Sequence, residues 1–422
     1  MIDKKILVLM ETDQSNSSLA GNRGISLGCK CDMYSMLIPS IKNVFSDVIS
    51  FDFLEYYVNY GATKTSNKLR ELILENKPDF LLWLSYAYEI DPDDFIFARQ
   101  NGVKTIGWFF DDESNFDNYS LMWVPYLDFV LTNDPGAIDK YAKYGITAFL
   151  EFFVPSASLF KKVEREKTID VSFIGSNIAD REEYVNYLKD NGINIIAYGS
   201  GWNTKYIATS EMIDVYNSSK INICFTKTLD LKFSQYKGKI FEICMCGGVL
   251  MVEYFNGLEK IFENEIDAIF FNNKADLLDK VNKYLPLHEK RQIIANNGWE
   301  KINNNYSMEK QLSRIFNDIL TNSKKYEEIK SKSTINTLKK SNQWLIASNY
   351  HFYFGIAYIR NKNYPLSADE FGTSLKYNRK NFKSYVLFKV TSIVVKSPKI
   401  QRVINKFIDI SQSVDTPQKR HL

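Results

Sequence analysis

The stretch KGKIFEICMCGGVLMVEYFNG, residues 237–257, decides the fold of the second half of the chain. Residues 240–246 have the apolar spacing of a short helix, Gly247 is suited to end it, and residues 249–252 are a continuous apolar run of the buried-strand type. A helix that leads through a tight turn into a buried strand is one unit of a parallel sheet with helices on its faces. Glu242 lies among the apolar residues of this helix, and a buried carboxylate needs a hydrogen-bond donor or a ligand.

Strand-like and helix-like segments alternate on both sides of this unit, and the alternation restarts after a linker at residues 154–167 that ends in KKVEREK. The pattern predicts two doubly wound, Rossmann-like α/β domains, the first at residues 1–160 and the second at residues 165–320. The predicted strands are residues 5–10, 48–54, 79–85, 104–110, 127–131, 170–174, 193–198, 220–225, 249–252 and 268–271.

The strand pattern stops beyond a Lys/Ser/Thr-rich segment at residues 323–340. The sequence HFYFGIAYIRNKNYPLSADEFGTSLKYNRK, residues 351–380, has a helix-turn-helix pattern and resembles one tetratricopeptide repeat (TPR). A generic helical hairpin would show the same pattern. Either interpretation predicts an all-α extension at residues 325–422.

Charge is distributed unevenly along the chain. The net charge is +3, but residues 321–422 contain 19 basic and 6 acidic residues, a net of +13, whereas the remainder has a net charge of −10. A basic extension on an acidic body predicts an anionic partner, which could be a protein acceptor. The alternative is a helical module whose lysines are only solvated.

Several classes of protein are disfavoured by composition and motifs. The first residues lack the pattern of a signal peptide, and no apolar run approaches the roughly 18 residues of a membrane span. The number of cysteines is odd, at five. We therefore expect a cytoplasmic protein whose cysteines are reduced. Three histidines make a histidine metal site or a Ser-His-Asp triad improbable, and no GxGxxG follows the first strand. Nothing indicates a nucleic-acid partner, and the oligomeric state stays open.

The residues before and after the quoted helix suggest a phosphate site. Lys237 and Lys239, together with the free amides of a helix N-terminus, would attract a pyrophosphate, and Glu242 could accept hydrogen bonds from the two vicinal hydroxyls of a ribose. Gly247 and Gly248 would allow a ligand to approach the backbone closely. The alternative is a structural helix whose end is capped by glycine.

Two aspartates follow the predicted strand KTIGWFF, at the edge of the sheet where ligands bind. Asp112 could act as a base toward an acceptor hydroxyl, and Asp111 could contact the acceptor or cap the next helix. Adjacent strand residues point to opposite faces, so we expect no metal here. Arg23, after the first strand, could bind the acceptor or a phosphate, or lie on the surface.

Residues 170–320 resemble group 1 glycosyltransferases of the GT-B type, most closely the CgeB-like branch. The resemblance is strongest in FEICMCGG, and with the first half it covers roughly three quarters of the chain. The matching stretches are DVSFIGS (170–176), Arg181, IIAYGSGW (195–202), IDVYNSSKINICF (213–225), KGKIFEICMCGGVLMVEY (237–254), NGLEKIFENEIDAIFFNNKADLLDKV (256–281), GWFFDDE (107–113) and LDFVLTND (127–134).

The resemblance implies roles for individual residues. Glu242 matches the second glutamate of the family's paired-glutamate motif, which holds the donor ribose, and Lys239 matches the basic residue that faces the donor phosphates. The first glutamate would fall at Ser234, so this chain departs from the motif there, and Glu253 on the next strand is a candidate substitute. The loop under the diphosphate and the segment near the nucleotide match Gly175, Ser176, Tyr198, Gly199 and Gly201.

The resemblance therefore implies two Rossmann-like domains in a GT-B arrangement and the transfer of a hexosyl or N-acetylhexosaminyl group to an acceptor hydroxyl. The donor would be a nucleotide diphosphate sugar, with UDP favoured, and no cofactor or metal would be needed. Because Ser234 replaces a motif glutamate, a catalytically degenerate binding module remains an alternative. A nucleotide-sugar epimerase of the same architecture is another.

Overall fold

The computed structural model describes residues 1–10, 33–84, 89–204, 207–331 and 342–405, so that Arg23 lies outside the described residues. The strands are β1 (Ile2–Leu9), β2 (Phe45–Phe51), β3 (Phe80–Leu84), β4 (Lys104–Phe109), β5 (Phe129–Thr132), β6 (Thr147–Leu150), β7 (Ile169–Ile174), β8 (Ile195–Tyr198), β9 (Ser219–Cys224), β10 (Leu250–Glu253) and β11 (Ile269–Phe271).

The longer helices surround these strands, and short helical turns connect β4 to β5 over residues 112–126. The helices are α1 (Met33–Val44), α2 (Phe53–Tyr60), α3 (Ala62–Asn76), α4 (Pro92–Gln100), α5 (Ala137–Lys143), α6 (Arg181–Asp190), α7 (Thr209–Ser218), α8 (Gly238–Met245), α9 (Lys274–Tyr284), α10 (His288–Asn305), α11 (Met308–Thr321), α12 (Ser323–Ser331), α13 (Asn342–Arg360), α14 (Tyr364–Tyr377) and α15 (Phe382–Lys396). Among these, no helix combines the length and apolar character that a membrane span needs.

Two parallel sheets confirm the predicted fold class. The first has the strand order β2-β1-β3-β4-β5-β6 and the second β11-β10-β9-β7-β8, and every strand pairing in both is parallel. In each sheet the strand order reverses once, between β1 and β3 and between β7 and β9. In doubly wound sheets, ligands bind at the carboxyl ends of the strands beside such a reversal. We call the two halves the first and second lobes.

Helix α11 departs from the predicted domain boundary. It was expected to close the second domain, but its apolar side packs into the core of the first sheet together with β1, β2 and β3. The ring of Phe316 makes edge contacts with Phe45 and Phe80, at centroid distances of 4.7 and 5.0 Å. The chain therefore crosses back to the first lobe, because an amphipathic helix needs an apolar surface and this sheet provides one.

The helical extension is docked on the first lobe. The hydroxyl of Tyr57 in α2 donates to Glu370 Oε2 at 2.8 Å, and His351 Nδ1 lies 2.9 Å from the same oxygen, all three side chains being buried. At the rim, Lys376 forms ion pairs with Asp91 and Asp93 at 2.5 and 2.6 Å. Buried polar contacts of this kind join α13 and α14 to the first lobe as one packed unit.

Glu370→Ala is expected to lower the free energy of unfolding by about 2–4 kcal/mol, because it removes the buried carboxylate that both Tyr57 and His351 contact and leaves these two side chains only their own contact of 3.1 Å. Chemical denaturation followed by circular dichroism and by tryptophan fluorescence measures the loss. Asp369→Ala, one residue away at the rim, is the control and should cost less. If the extension were an independent module, only a minor separate transition would shift, and the docking described here would be wrong.

Candidate functional site

The two lobes meet at the carboxyl ends of their sheets through Gln235. This side chain belongs to the second lobe, is 2% exposed, and donates from Nε2 to Asp111 Oδ1 at 2.7 Å and to Glu113 Oε2 at 3.0 Å in the first lobe. Its Oε1 accepts from Lys237 Nζ. A polar network therefore joins the two lobes, and we call the region between the carboxyl ends of their sheets the cleft.

The N-terminus of α8 faces this network. Lys237 is the N-cap residue, and its side chain makes no capping hydrogen bond to the helix. Burial lowers the pKa of Lys237, while the nearby Asp111 opposes that shift. Lys239 lies in the first turn, with Nζ 3.5 Å from Glu242 Oε2. A helix N-terminus with two lysines is suited to an anionic group.

Glu242 lies in the second turn of α8, and it is 4% exposed. Its Oε2 accepts from the hydroxyl of Tyr216 at 3.0 Å. Burial raises the pKa of Tyr216 well above its usual range, and the charge of Glu242 and this hydrogen bond add to the shift. The Oε1 of Glu242 lies 3.6 Å from the position that a Cβ would take on Gly238, the first residue of α8. Phe153, which precedes the linker between the lobes, lies beside the same position. The carboxylate therefore turns one oxygen toward the open N-terminus of its own helix.

The loops after β7 and β8 lie directly against each other. The amide of Asn177 donates to Ser200 O at 2.7 Å, and Gly175 O accepts from Trp202 Nε1 at 2.7 Å. Gly199 has φ +134, and a Cβ there would lie 2.4 Å from Gly175 O. Glycine is therefore needed at Gly199 for the two loops to approach each other. Ser176 and Tyr198 are half-buried and flank the glycines at the same sheet edge.

Gly247 and Gly248 do not lie in the cleft, which corrects the prediction that they bind the donor. They follow the C-terminus of α8, the end opposite to Lys237, where Gly247 has φ +64 and Gly248 N donates to Ile243 O at 2.9 Å. A Cβ on Gly248 would meet Asn222 Nδ2 at 2.7 Å. The pair caps the helix and allows it to pack against β9, as the alternative interpretation held.

Asp112 is buried and does not face the cleft, so the structure does not place it as a base. Its carboxylate accepts from the hydroxyls of Ser120, Thr132 and Tyr141 at 2.5, 2.6 and 2.8 Å. Burial raises the pKa of Asp112. Three donors on a fully buried carboxylate indicate that it holds the turns after β4 in place.

Glu113, rather than Asp112, contacts Gln235 across the lobes. Asp111 has φ 63, in the left-handed region, and this turn directs Asp112 inward and Glu113 toward Gln235. Burial raises the pKa of Glu113 to about 7. The hydrogen bond from Gln235 opposes this shift, whereas the negative charges of Asp134 and Asp111 add to it. A carboxyl group with this pKa at a cleft can exchange a proton near neutral pH.

Glu253 has a structural position as well. Its Oε2 accepts from the amide of Thr226 at 3.1 Å, and its Oε1 lies 2.8 Å from Lys227 Nζ. Ser234 faces Lys227 in an antiparallel bridge, within the hairpin that leads to Gln235. Glu253 therefore holds the base of that hairpin. The geometry does not support the hypothesis that Glu253 takes the role of the motif glutamate missing at Ser234.

The described cysteines carry no reactive feature. Cys224, Cys244 and Cys246 are buried and unpaired, and burial raises the pKa of Cys224 to about 12. Within the described ranges, no three side chains of His, Cys, Asp or Glu are grouped in a way that could hold a metal ion.

Sequence comparison identifies part of the second lobe. Residues 181–317, from α6 to α11, match the family described as Glycosyl transferase-like. This range includes α8, Glu242 and Gln235, and it covers about a third of the chain. No curated protein matches the sequence significantly.

Solved structures with low sequence identity share the architecture. Sucrose-phosphate synthase from Thermosynechococcus elongatus is 8% identical, over 75% of this chain and 100% of that one, with a TM-score of 0.52. Anabaena HepE in complex with UDP-glucose is 10% identical, over 75% and 99%, with a TM-score of 0.50. S. aureus TarM is 14% identical with a TM-score of 0.44, and this chain spans 58% of its length. Residues 181–317 thus form a glycosyl transferase-like domain, and the two lobes together have a GT-B-like α/β architecture.

Proposed function

We propose that the protein is a glycosyltransferase that moves a sugar from a nucleotide diphosphate sugar to an acceptor hydroxyl. The observation that carries this proposal is the arrangement across the cleft, where an uncapped helix N-terminus with two lysines faces a carboxyl group whose pKa is about 7. One side suits a diphosphate and the other a hydroxyl that must lose its proton. The glycosyl transferase-like match of the second lobe supports the assignment.

The donor would bind to the second lobe. Its diphosphate would rest on the amides at the start of α8, with Lys237 and Lys239 balancing the charge that develops on the leaving group. The ribose hydroxyls would donate to Oε1 of Glu242, whose Oε2 is already held by Tyr216. UDP is the favoured nucleotide, which the UDP-glucose bound to HepE supports, and the transferred group would be a hexosyl or N-acetylhexosaminyl unit.

The acceptor would approach from the first lobe, with Glu113 as its base. A cavity of about 610 Å³ lies between α3 and the extension, lined by polar residues such as Thr63, Arg70 and Lys376 and by the rings of Tyr377 and Phe388. Its lining includes the first turn of α3 and Asp91, the N-cap residue of α4. A protein acceptor could extend along it, in keeping with a TPR-like extension and a CgeB-like enzyme.

A donor screen tests the proposal. Purified full-length protein is incubated with UDP- and GDP-sugars, and release of the nucleoside diphosphate is measured together with calorimetric binding of UDP and GDP. We expect one nucleotide to bind and its sugar donor to be slowly hydrolysed without an acceptor. Binding of a nucleotide without release of nucleoside diphosphate from its sugar donor would favour the degenerate module. Interconversion of two sugar nucleotides would favour the epimerase. If neither UDP nor GDP bound, the proposal would be contradicted.

A further inference from the structure

The last helices of the described chain have an unusual surface. On α15, large apolar side chains point to solvent, among them Phe382 at 74% and Ile393 at 57% exposed. The stripe continues into the helical residues 398–405, where Val403 is 57% exposed. The apolar exposed residues of this stripe are Phe382, Tyr385, Val386, Val390, Ile393, Ile400 and Val403.

The opposite face of α15 is buried and partly polar. Ser384 and Thr391 are at most 1% exposed, and the hydroxyl of Ser384 lies 2.7 Å from that of Ser374 in α14. The hydrogen bond fixes the rotation of α15 about its axis. The helix therefore presents its apolar side outward, which is the reverse of an ordinary surface helix.

Positive charge surrounds the stripe. No acidic residue occurs between Glu370 and Asp409. Within the described part of the chain, the seven basic residues that follow α14 form no ion pair with any described residue: they are Arg379, Lys380, Lys383, Lys389, Lys396, Lys399 and Arg402. Apolar side chains between unneutralised lysines define a cationic amphipathic surface, which we call the α15 surface.

We propose that the α15 surface binds an anionic lipid bilayer. Apolar residues on one face of a helix enter the boundary between headgroups and acyl chains, and each lysine or arginine near an anionic leaflet adds electrostatic attraction. A second copy of the chain fits poorly, because seven like charges would face seven others. A nucleic acid would use the charge but leave the apolar stripe uncovered.

Co-sedimentation of the full-length protein with vesicles tests the proposal. We expect binding to vesicles of phosphatidylcholine with phosphatidylglycerol, little binding to phosphatidylcholine alone, and weakening by salt. The double variant Phe382→Ser/Ile393→Ser should lower the partition coefficient about tenfold or more, since two apolar side chains no longer enter the bilayer. Lys383→Glu/Lys389→Glu should reduce binding only to the anionic vesicles.

Matched controls are Ile293→Ser, at a residue 54% exposed on α10 of the second lobe, and Lys290→Glu on the same helix, which should bind as the wild type does. Unchanged thermal unfolding shows that each variant folds. The proposal would be overturned by equal binding to both kinds of vesicle, by no binding to either, or by wild-type binding of the double variant. Absence of vesicle binding together with tight association with an acidic protein would also overturn it. UDP binding is measured separately, so failure here is distinguishable from failure of the proposed function.

Discussion

Glu113→Gln is expected to lower kcat for sugar transfer by about 10²- to 10⁴-fold, the usual contribution of a general base. Gln keeps the shape of the side chain and its contact with Gln235 but cannot accept a proton. The affinity for UDP should not change, because Glu113 belongs to the first lobe and the nucleotide is assigned to the second. Steady-state kinetics and calorimetry on the same preparations separate the two effects.

The pH dependence of the reaction gives a second readout. A base must be ionised to act, so the rate in the wild type should rise with pH through about 7, the pKa of Glu113, and level off above it. The variant should lose this limb. A residual rate in Glu113→Gln with the same limb would assign the base to another group.

Stability should change in the opposite direction to activity. The pKa of Glu113 is raised in the folded protein, so its contribution to stability is present at low pH and is lost as pH rises through about 7. We therefore expect Glu113→Gln to unfold at a higher temperature than the wild type above pH 7. Asp112→Asn is the contrasting variant: it disturbs a buried carboxylate with three hydroxyl donors and should lower stability.

Glu242→Gln is expected to weaken UDP binding by about 10- to 100-fold. A hydrogen bond to a charged group contributes about 1.5–3 kcal/mol, and each 1.4 kcal/mol is a factor of ten in affinity. The sharper measurement compares UDP with 2′-deoxy-UDP by calorimetry. The wild type should prefer UDP, whereas the variant should bind the two with similar affinity, because the carboxylate that accepts from the ribose hydroxyls is gone.

Tyr216→Phe is the matched control for Glu242. It removes only the hydroxyl that donates to Oε2 and leaves Oε1 in place, so its preference for UDP over 2′-deoxy-UDP should persist. If Glu242→Gln still discriminated between these nucleotides as strongly as the wild type, Glu242 would be a structural carboxylate and the ribose assignment would be wrong.

Local signals in the sequence predicted most of the strands and several helix ends. Buried parallel strands are short apolar runs, and all ten predicted runs correspond to strands in the structure. Asp91 caps α4 through the amide of Asp93, as expected from Asp91-Pro92. The pattern missed the half-buried edge strand β6, which has no continuous apolar run, and the short helical turns of residues 112–126. It also missed helix α2, because its first residues, Phe53 and Leu54, continue the apolar run of the predicted strand although Asp52 caps the helix.

The error at Asp112 has a specific cause. Asp112 was proposed as a base because it follows β4 at the ligand-binding edge of the sheet, but Asp111 adopts a left-handed conformation and Asp112 is buried. Gly247 was correctly expected to end α8, but the helix end that faces the first lobe is the opposite one, at Lys237. No motif in the sequence marks Gln235, whereas the phosphate site inferred from Lys237 and Lys239 lies at the helix end that Gln235 contacts.

By itself, the sequence determined the two parallel sheets, the basic helical extension and the helix that carries Glu242, because each depends on residues within a few positions of one another. Only the tertiary structure decided which carboxyl group faces the cleft, that α11 returns to the first lobe and that the extension is docked there. Those outcomes depend on burial between distant segments, such as the contact of Gln235 with Asp111, 124 residues apart, and no local pattern encodes such a contact.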